Sequence, residues 1–157
     1  MKKIISAALC VILCFILSAC AQVKNENFTS TCTLEIECKT VLENMDKLNK
    51  DKAEVIPEDG VILSEEEFGF DDGESVYDVL RRVCTEKKIH LDALITPAFN
   101  TAYVKGINNL YEFDCGEASG WTYSVNGKSP SFGCSDYTLT QGDKIVFHYI
   151  CEFTDEF

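Results

Sequence analysis

The sequence lacks the features that would point to catalysis or to a membrane-spanning helix. Its 157 residues include two histidines and one tryptophan, and His90 and His148 stand apart from each other and from any recognisable serine and carboxylate pattern. Nucleophilic catalysis requires a nucleophile with a base held beside it, so we predict that the protein is not an enzyme and has no cofactor. The apolar run at residues 4–17 is shorter than the roughly 20 residues that a spanning helix needs.

Positive charge is also scarce. The chain has 14 lysine and arginine residues against 26 acidic residues, a net charge of −12 at pH 7. Such a chain repels phosphates, so we expect no nucleic-acid partner and no electrostatic adhesion to anionic lipid. The acidic clusters at residues 65–67 and 71–74 lack the spaced D-x-D-x-D-G pattern of a calcium loop. We therefore predict a solvated acidic face and no metal site.

The N-terminus carries a more specific pattern. Lys2 and Lys3 precede the apolar run, which ends in Leu-Ser-Ala-Cys at residues 17–20. This ending resembles the lipobox of bacterial lipoproteins. The resemblance implies that residues 1–19 are a signal peptide, that Cys20 is acylated (palmitate among its acyl chains), and that the protein is anchored at the extracytoplasmic face of a bacterial cell membrane. An ordinary secretory signal that contains cysteine is the alternative.

Cysteine usage agrees with export. Two of the nine cysteines lie in the predicted signal peptide and Cys20 is the predicted lipidation site. An even number of cysteines remains in the exported chain, which predicts three disulfides with fifteen pairings. None shows the close C-x-x-C spacing of a zinc site. The six are Cys32, Cys38, Cys84, Cys115, Cys134 and Cys151.

The rest of the chain predicts strands, turns and one clear helix. Apolar and polar residues alternate at residues 32–38, which predicts a half-buried strand, and residues 61–70 and 144–151 read as further strands. A capping-box pattern at residues 40–43 predicts a short helix through Leu48. The main helix begins after Ser75, because apolar residues then recur at helical spacing on one face. Shorter strands are predicted at 101–105 and 110–115.

A hairpin near the C-terminus holds the candidate binding residues. Residues 121–125 alternate with period two and run into Asn126-Gly127, the strongest short hairpin signal. Trp121 and Tyr123 therefore face one side, where they would form a rigid stacking platform. The alternative is that this side is core and that the tryptophan is buried beneath the helix. Tyr137 is open to the same two interpretations, and positive φ angles in the turn explain Asn126 and Gly127.

This order of elements predicts an α+β fold in which one main helix, with a short extra helix, packs on a mixed sheet. The β-grasp is the familiar fold of this order, and in it the first and last strands lie parallel at the centre. On that arrangement Cys38 would pair with Cys151, Cys32 with Cys84, and Cys115 with Cys134. Residues 20–31 would be a polar tether, and residues 32–157 a single domain.

A family resemblance is carried by residues 119–127, by Gly-Cys-Ser-Asp-Tyr at 133–137 and by Gly142-Asp143. These motifs resemble the transcobalamin-like C-terminal domain, and the likeness extends over about residues 68–149. The resemblance implies a β-grasp-like, ligand-binding domain, with cobalamin or a related corrinoid as a candidate ligand at Trp121, Tyr123, Asn126, Gly127 and Tyr137. In the vitamin B12 carriers the ligand lies between this domain and a helical domain, so we expect this chain to offer half of such a site.

The sequence as a whole predicts a non-catalytic, membrane-anchored lipoprotein that binds a small soluble ligand or a surface protein through its β-grasp-like domain. The alternative is an acidic structural or adhesion module that binds divalent cations or envelope polymers. The first prediction depends on the lipobox and the aromatic hairpin. The second depends on the acidic clusters.

Overall fold

The computed structural model describes residues 28–96 and 101–153. The predicted signal peptide and the lipidation site Cys20 lie outside the described residues. In chain order the elements are β1 (Ser30–Glu37), α1 (Lys39–Leu42), a 3₁₀ helix (Lys50–Val55), β2 (Val61–Phe70), α2 (Val76–Lys87), β3 (Leu91–Thr96), β4 (Thr101–Ile107), β5 (Leu110–Tyr111), β6 (Gly120–Val125) and β7 (Lys144–Ile150). The α+β class is confirmed, and the strands form two sheets.

The larger sheet has the strand order β2-β1-β7-β6. Its two central strands, β1 and β7, run parallel, with Thr33 opposite Lys144 and Glu37 opposite His148. The outer strands pair antiparallel with their neighbours. The predicted parallel pairing of the first and last strands is therefore confirmed, and it joins residues more than a hundred positions apart. The first strand begins at Ser30, two residues before the predicted start.

Helix α2 covers one face of this sheet. Its start is fixed by a capping box, in which the Asp78 backbone N–H donates to Ser75 Oγ (3.2 Å) and the Ser75 N–H donates to Asp78 Oδ2 (3.0 Å). The helix ends at Lys87, and its C-cap residue Lys88 adopts the left-handed conformation (φ 58°). The apolar stripe is confirmed, because its four residues are fully buried and each contributes about 1.5–3 kcal/mol by leaving water. They are Val76, Val79, Leu80 and Val83.

The predicted first helix is wrong in its start and its length. Helix α1 begins at Lys39 and contains four residues, its N-cap is Cys38, and no side chain caps it. The Thr40 hydroxyl donates to the carbonyl of Tyr149 in β7, so it is not available as the cap of a capping box. This tertiary hydrogen bond therefore uses the Thr40 hydroxyl that a capping box would have needed.

The smaller sheet has the order β3-β4-β5. The strand β3 was not predicted from the sequence, and the strand predicted at 110–115 ends at Tyr111. A turn replaces its second half, in which Asp114 Oδ2 accepts from the Tyr111 N–H (2.8 Å) and the Asp114 N–H donates to the Tyr111 carbonyl (3.1 Å). The short side chain of aspartate competes for backbone groups in this way, which ends the strand early.

The predicted disulfides are not supported. Among the six cysteines that the structure describes, no pair is bonded, and the Cys115 and Cys151 sulfurs lie 2.8 Å apart, against about 2.05 Å for a disulfide. The pairing of Cys115 with Cys134 is wrong, because the two lie in separate core clusters. One cluster holds Cys32, Cys84 and Cys134, and the other holds Cys38, Cys115 and Cys151.

Burial makes these thiols poor nucleophiles. Desolvation raises the pKa of Cys84 and of Cys38 to about 12 and that of Cys134 to about 11. A thiol with such a pKa stays protonated at neutral pH, and the thiolate is the reactive form. The described cysteines therefore act as apolar core residues in this structure.

Candidate functional site

A groove of about 370 Å³ lies between strands β4 and β6. Its walls are residues 102–104 of β4 and 121–123 of β6, its rim is the segment 130–134, and Phe147 of β7 also lines it. The volume is within the range of pockets that hold small ligands, which are typically about 300–1,000 Å³. We refer to this space as the β4–β6 groove.

Trp121 forms part of both the core and the groove. Its side chain is half-buried and packs against both core clusters. The indole N–H donates to the carbonyl of Leu110 (2.9 Å), and the ring meets Tyr149 edge to face, with centroids 5.3 Å apart. The sequence allowed Trp121 to be either a core residue or a binding residue. The structure combines the two, because the indole packs on the core and also borders the open groove.

Tyr123 lies two residues further along the same strand and is buried. Its ring stacks on Phe147 with centroids 5.8 Å apart, and its hydroxyl donates to the carbonyl of Phe132 (2.9 Å). Burial is the main cause that raises the pKa of this phenol. The hydrogen bond ties the segment 130–134 to β6 and so holds the rim of the groove in place.

The β4 wall and the rim each present one exposed aromatic side chain. Tyr103 and Phe132 are 51% and 49% exposed, and Phe132 stacks on Tyr137 with centroids 6.0 Å apart. The Tyr103 hydroxyl donates to the Glu112 carboxylate, and this bond is the main cause that raises the pKa of Tyr103 to about 12. Tyr137, a predicted site residue, contacts the rim through its stacking with Phe132 and does not line the groove.

Asn126 and Gly127 lie at the hairpin turn and outside the lining of the groove. Both have positive φ angles, 53° and 72°, as the turn requires. The Asn126 amide donates to Asp143 Oδ1 (2.8 Å), and its oxygen accepts from the Lys144 N–H (3.0 Å). Of the five predicted site residues, the structure brings Trp121 and Tyr123 to the groove and places the other three in supporting positions.

Sequence reasoning missed a polar cluster on the opposite face of β6 and β7. His148 Nε2 lies 3.0 Å from Ser124 Oγ, and His148 Nδ1 lies 2.7 Å from Glu37 Oε1. The other carboxylate oxygen of Glu37 forms an ion pair with Lys39. All three members of the serine–histidine–glutamate chain are at most 8% exposed. The signal that would have found it is the parallel register of β1 and β7, which places Glu37 beside His148.

This cluster has the order of groups found in catalytic triads, but its members are sealed from solvent. Burial alone would raise the pKa of Glu37, and the hydrogen bonds from Lys39 and His148 outweigh that effect and lower it. The carboxylate is therefore held in its charged form by its neighbours. The pair joins the two central strands of the larger sheet, since Glu37 belongs to β1 and His148 to β7.

The acidic clusters are partly neutralised by ion pairs. Glu66 pairs with Lys87 (2.6 Å) and Glu65 with Lys144 (3.4 Å). Among the residues of the two described stretches, no group of three or more histidine, cysteine or acidic side chains is arranged to hold a metal ion. In the same part of the chain, no helix has the length and apolar character needed to cross a membrane.

Comparisons with known proteins agree with the fold. Residues 73–150 match the model of a family described as a domain of unknown function (DUF4430). This match covers the region from the turn before α2 to the end of β7. No curated protein matches the chain by sequence.

The chain is similar to two solved structures. Haptocorrin in complex with Cbi superposes with a TM-score of 0.52 at 12% identity, over 86% of this chain and 29% of the haptocorrin chain. A protein of Ruminococcus gnavus ATCC 29149, described as a "putative metal binding protein", gives a TM-score of 0.44 at 13% identity, over 77% of this chain and 96% of its own. The chain thus spans less than a third of haptocorrin. The similarity to haptocorrin shows that this protein has a transcobalamin-like fold.

Proposed function

We propose that this protein is a non-catalytic binding module that takes a soluble ligand in the β4–β6 groove. The observation that carries the proposal is the fixed orientation of Trp121, which is held by one hydrogen bond and one ring contact while it borders an open groove. A side chain that is already ordered loses little conformational entropy when a ligand stacks on it. Aromatic residues of this kind supply large contact areas at binding sites.

Exposed aromatic side chains on the β4 wall and on the rim support the same proposal. Tyr103 and Phe132, which both line the groove, leave about half of their surfaces in water. Exposed apolar groups that are gathered around a cavity mark an interaction site more often than scattered ones do. A ligand that covers these two rings and the indole would bury apolar surface at about 25 cal/mol per Å².

A corrinoid is the first small ligand to test, since the haptocorrin structure with the same fold is a complex with Cbi. The protein with Cys20→Ser, which removes the acylation site, would be titrated with cobalamin. Trp121 is the only tryptophan, so its fluorescence reports on the groove. We expect a saturable change that Phe132→Ala weakens and that Phe153→Ala, a substitution of an exposed aromatic away from the groove, leaves unaltered. An identical response in both variants would contradict binding at the groove.

We further propose that Cys20 carries the lipid anchor and places the domain at the extracytoplasmic face of the membrane. Support comes from the lipobox-like sequence at residues 17–20, and two acyl chains are enough for stable anchoring. Cells fed labelled palmitate should incorporate label into the full chain and not into Cys20→Ala. Equal labelling of both proteins would refute acylation at this residue.

In an oxidising compartment, we propose that Cys115 and Cys151 become a disulfide. Their sulfurs are already in contact at 2.8 Å and both side chains are buried. Exchange with the disulfide of a thiol oxidoreductase would join the two sulfurs, and the oxidoreductase would take up the two electrons and two protons as a dithiol. Non-reducing peptide mapping of the exported protein should recover a peptide that links these two residues. Recovery of both as free thiols would contradict the proposal.

A further inference from the structure

Aromatic rings outside the β4–β6 groove are used to hold the protein's own cations. Three such rings each have a basic group near the ring centroid: Lys52 at 4.8 Å from Tyr111, Arg82 at 4.6 Å from Phe28 and Lys87 at 5.6 Å from Phe68. A ring face attracts a cation within about 6 Å of its centroid. Within residues 28–96 and 101–153, no lysine or arginine lies over Tyr103, Trp121 or Phe132. These three rings all line the groove, so the groove gathers aromatic surface that the protein's own cations do not use.

The chemistry of the lining limits which ligand can enter. The described side chains that line the groove are apolar, aromatic or hydroxyl-bearing, and none of them carries a charge or an amide. A sugar or a primary amine would lose hydrogen bonds to water there, and few side chains could replace them. A quaternary ammonium group has no N–H, so it can lie against aromatic rings without losing a hydrogen bond. The lining therefore favours a cation of this kind over more polar ligands.

The charge beside the groove has the sign that a cation needs. The Glu112 carboxylate accepts the hydrogen bond from the Tyr103 hydroxyl on the β4 wall. Among the residues that the structure describes, Glu112 forms no ion pair with a basic side chain. Lys105, two residues after Tyr103 in β4, does not line the groove. The protein as a whole carries a net charge of −12, so its field attracts cations and repels anionic groups.

We propose that the β4–β6 groove binds a small, soluble quaternary ammonium compound, whose cationic head contacts Tyr103, Trp121 and Phe132. This inference rests on the proposed function, because it names the ligand class of the same groove. The space of about 370 Å³ is large enough for a small organic cation. The acidic surroundings disfavour the phosphate of a choline lipid headgroup, so the ligand is a free cation without an anionic group.

The test uses the full chain with Cys20→Ser and measures binding by calorimetry and by Trp121 fluorescence. The probes are choline, phosphocholine and dimethylbutanol, the uncharged analogue of choline in which carbon replaces nitrogen. Choline and dimethylbutanol have nearly the same shape, so the difference between them reports the charge. We expect choline to bind about tenfold or more tightly than dimethylbutanol, as cation–π contacts with several rings predict, and more tightly than phosphocholine.

Two variants separate the charge beside the groove from the charge of the whole protein. Glu112→Gln removes the negative charge and keeps an acceptor for the Tyr103 hydroxyl, so we expect choline to bind about threefold more weakly and dimethylbutanol to bind as before. Glu67→Gln removes the same charge from exposed β2, at the edge of the larger sheet opposite β6, and should leave choline binding unaltered. Phe132→Ala should weaken choline binding by about threefold or more, through the loss of one ring.

Several outcomes would overturn the inference. Dimethylbutanol that binds as tightly as choline, or no saturable binding of choline at millimolar concentration, would exclude recognition of the cation. Equal losses in Glu112→Gln and Glu67→Gln would show that the groove has no charge preference of its own. Phosphocholine that binds as tightly as choline would assign the groove to a lipid headgroup. Cobalamin binding that is sensitive to Phe132→Ala, without choline binding, would sink this inference and leave the proposed function standing. Failure of both ligands to bind would count against both.

Discussion

The two faces of the β6–β7 ribbon are built from alternating residues of the same strands, yet they differ in what they leave open. On one face, Trp121 and Tyr123 pack on Tyr149 and Phe147 and still border a groove. On the other face, Ser124 and His148 are sealed together with Glu37. The aromatic face joins the core and offers contact surface, whereas the polar face pairs its buried groups with one another and with Lys39. The difference teaches that the more chemically suggestive residues are the buried ones, and that the proposed site lies among the apolar residues that border the groove.

The largest expected effect is the loss of stability when Phe147, which supports the aromatic face, is replaced by alanine. Phe147 is 2% exposed and lies beneath Tyr123, so Phe147→Ala would leave a cavity and lower the free energy of unfolding by about 3–5 kcal/mol. Urea denaturation would measure the loss. Phe153→Ala is the matched control, because Phe153 is 86% exposed and should change stability by about 0.5 kcal/mol or less. Similar losses in both variants would show that the ring of Phe147 does not support this face.

The polar face should respond to pH as well as to mutation. Glu37→Gln removes a charge that Lys39 and His148 stabilise, so we expect a loss of about 1–3 kcal/mol at pH 7. The pKa of Glu37 is lower in the folded state than in the unfolded state. Its contribution is therefore fully present above the unfolded value of about 4.3 and is lost as the pH falls through the folded value. The difference in unfolding free energy between wild type and Glu37→Gln should shrink as the pH falls below the unfolded value, and a constant difference would argue against this account.

The turn that closes the hairpin should have a smaller effect, and one that comes from backbone conformation. At Gly127, with φ +72°, an added Cβ would meet no atom within 4 Å. Gly127→Ala should therefore cost about 1–2 kcal/mol, the penalty of a left-handed conformation for a residue with a Cβ. Thermal unfolding would measure it, and Gly127→Asn, which tolerates this conformation better, should recover part of the loss. Equal losses for alanine and asparagine would point to a cause other than the backbone.

The smallest expected effect is the loss of the indole hydrogen bond. Trp121→Phe removes the N–H that donates to Leu110 and keeps an aromatic ring on the groove wall. We expect a loss of about 1 kcal/mol in the free energy of unfolding, measured by circular dichroism in urea. A loss as large as that of Phe147→Ala would mean that Trp121 belongs wholly to the core, and the contrast between an open and a sealed face would weaken.

Much of the architecture could be read from local patterns. The boundaries of β2 at Val61–Phe70 agree with the prediction, and the apolar stripe of α2 follows from helical spacing alone. The capping box at Ser75 formed, whereas the similar pattern at Thr40 did not, because a carbonyl of β7 accepts the Thr40 hydroxyl hydrogen. A local signal therefore holds only where no distant partner competes for the same group.

The candidate site was predictable in part. Alternation placed Trp121 and Tyr123 on one side of a hairpin, and both line the groove. The opposite wall, on β4, and the rim at residues 130–134 come from segments whose positions depend on how the two sheets meet. The cysteine pairs failed for the same reason, because Cys115 and Cys134 are close in sequence but belong to different core clusters.

The sequence by itself determined the strand and helix periods, the acidic charge and the aromatic alternation of β6, since these depend on neighbouring residues and on side-chain chemistry. Tertiary structure alone decided that β4 forms the wall of the groove opposite Trp121 and Tyr123, and that Glu37 meets His148 across 111 positions. Contacts of this kind depend on strand register and sheet order, which are set by the packing of the whole core. For that reason no local pattern contains them.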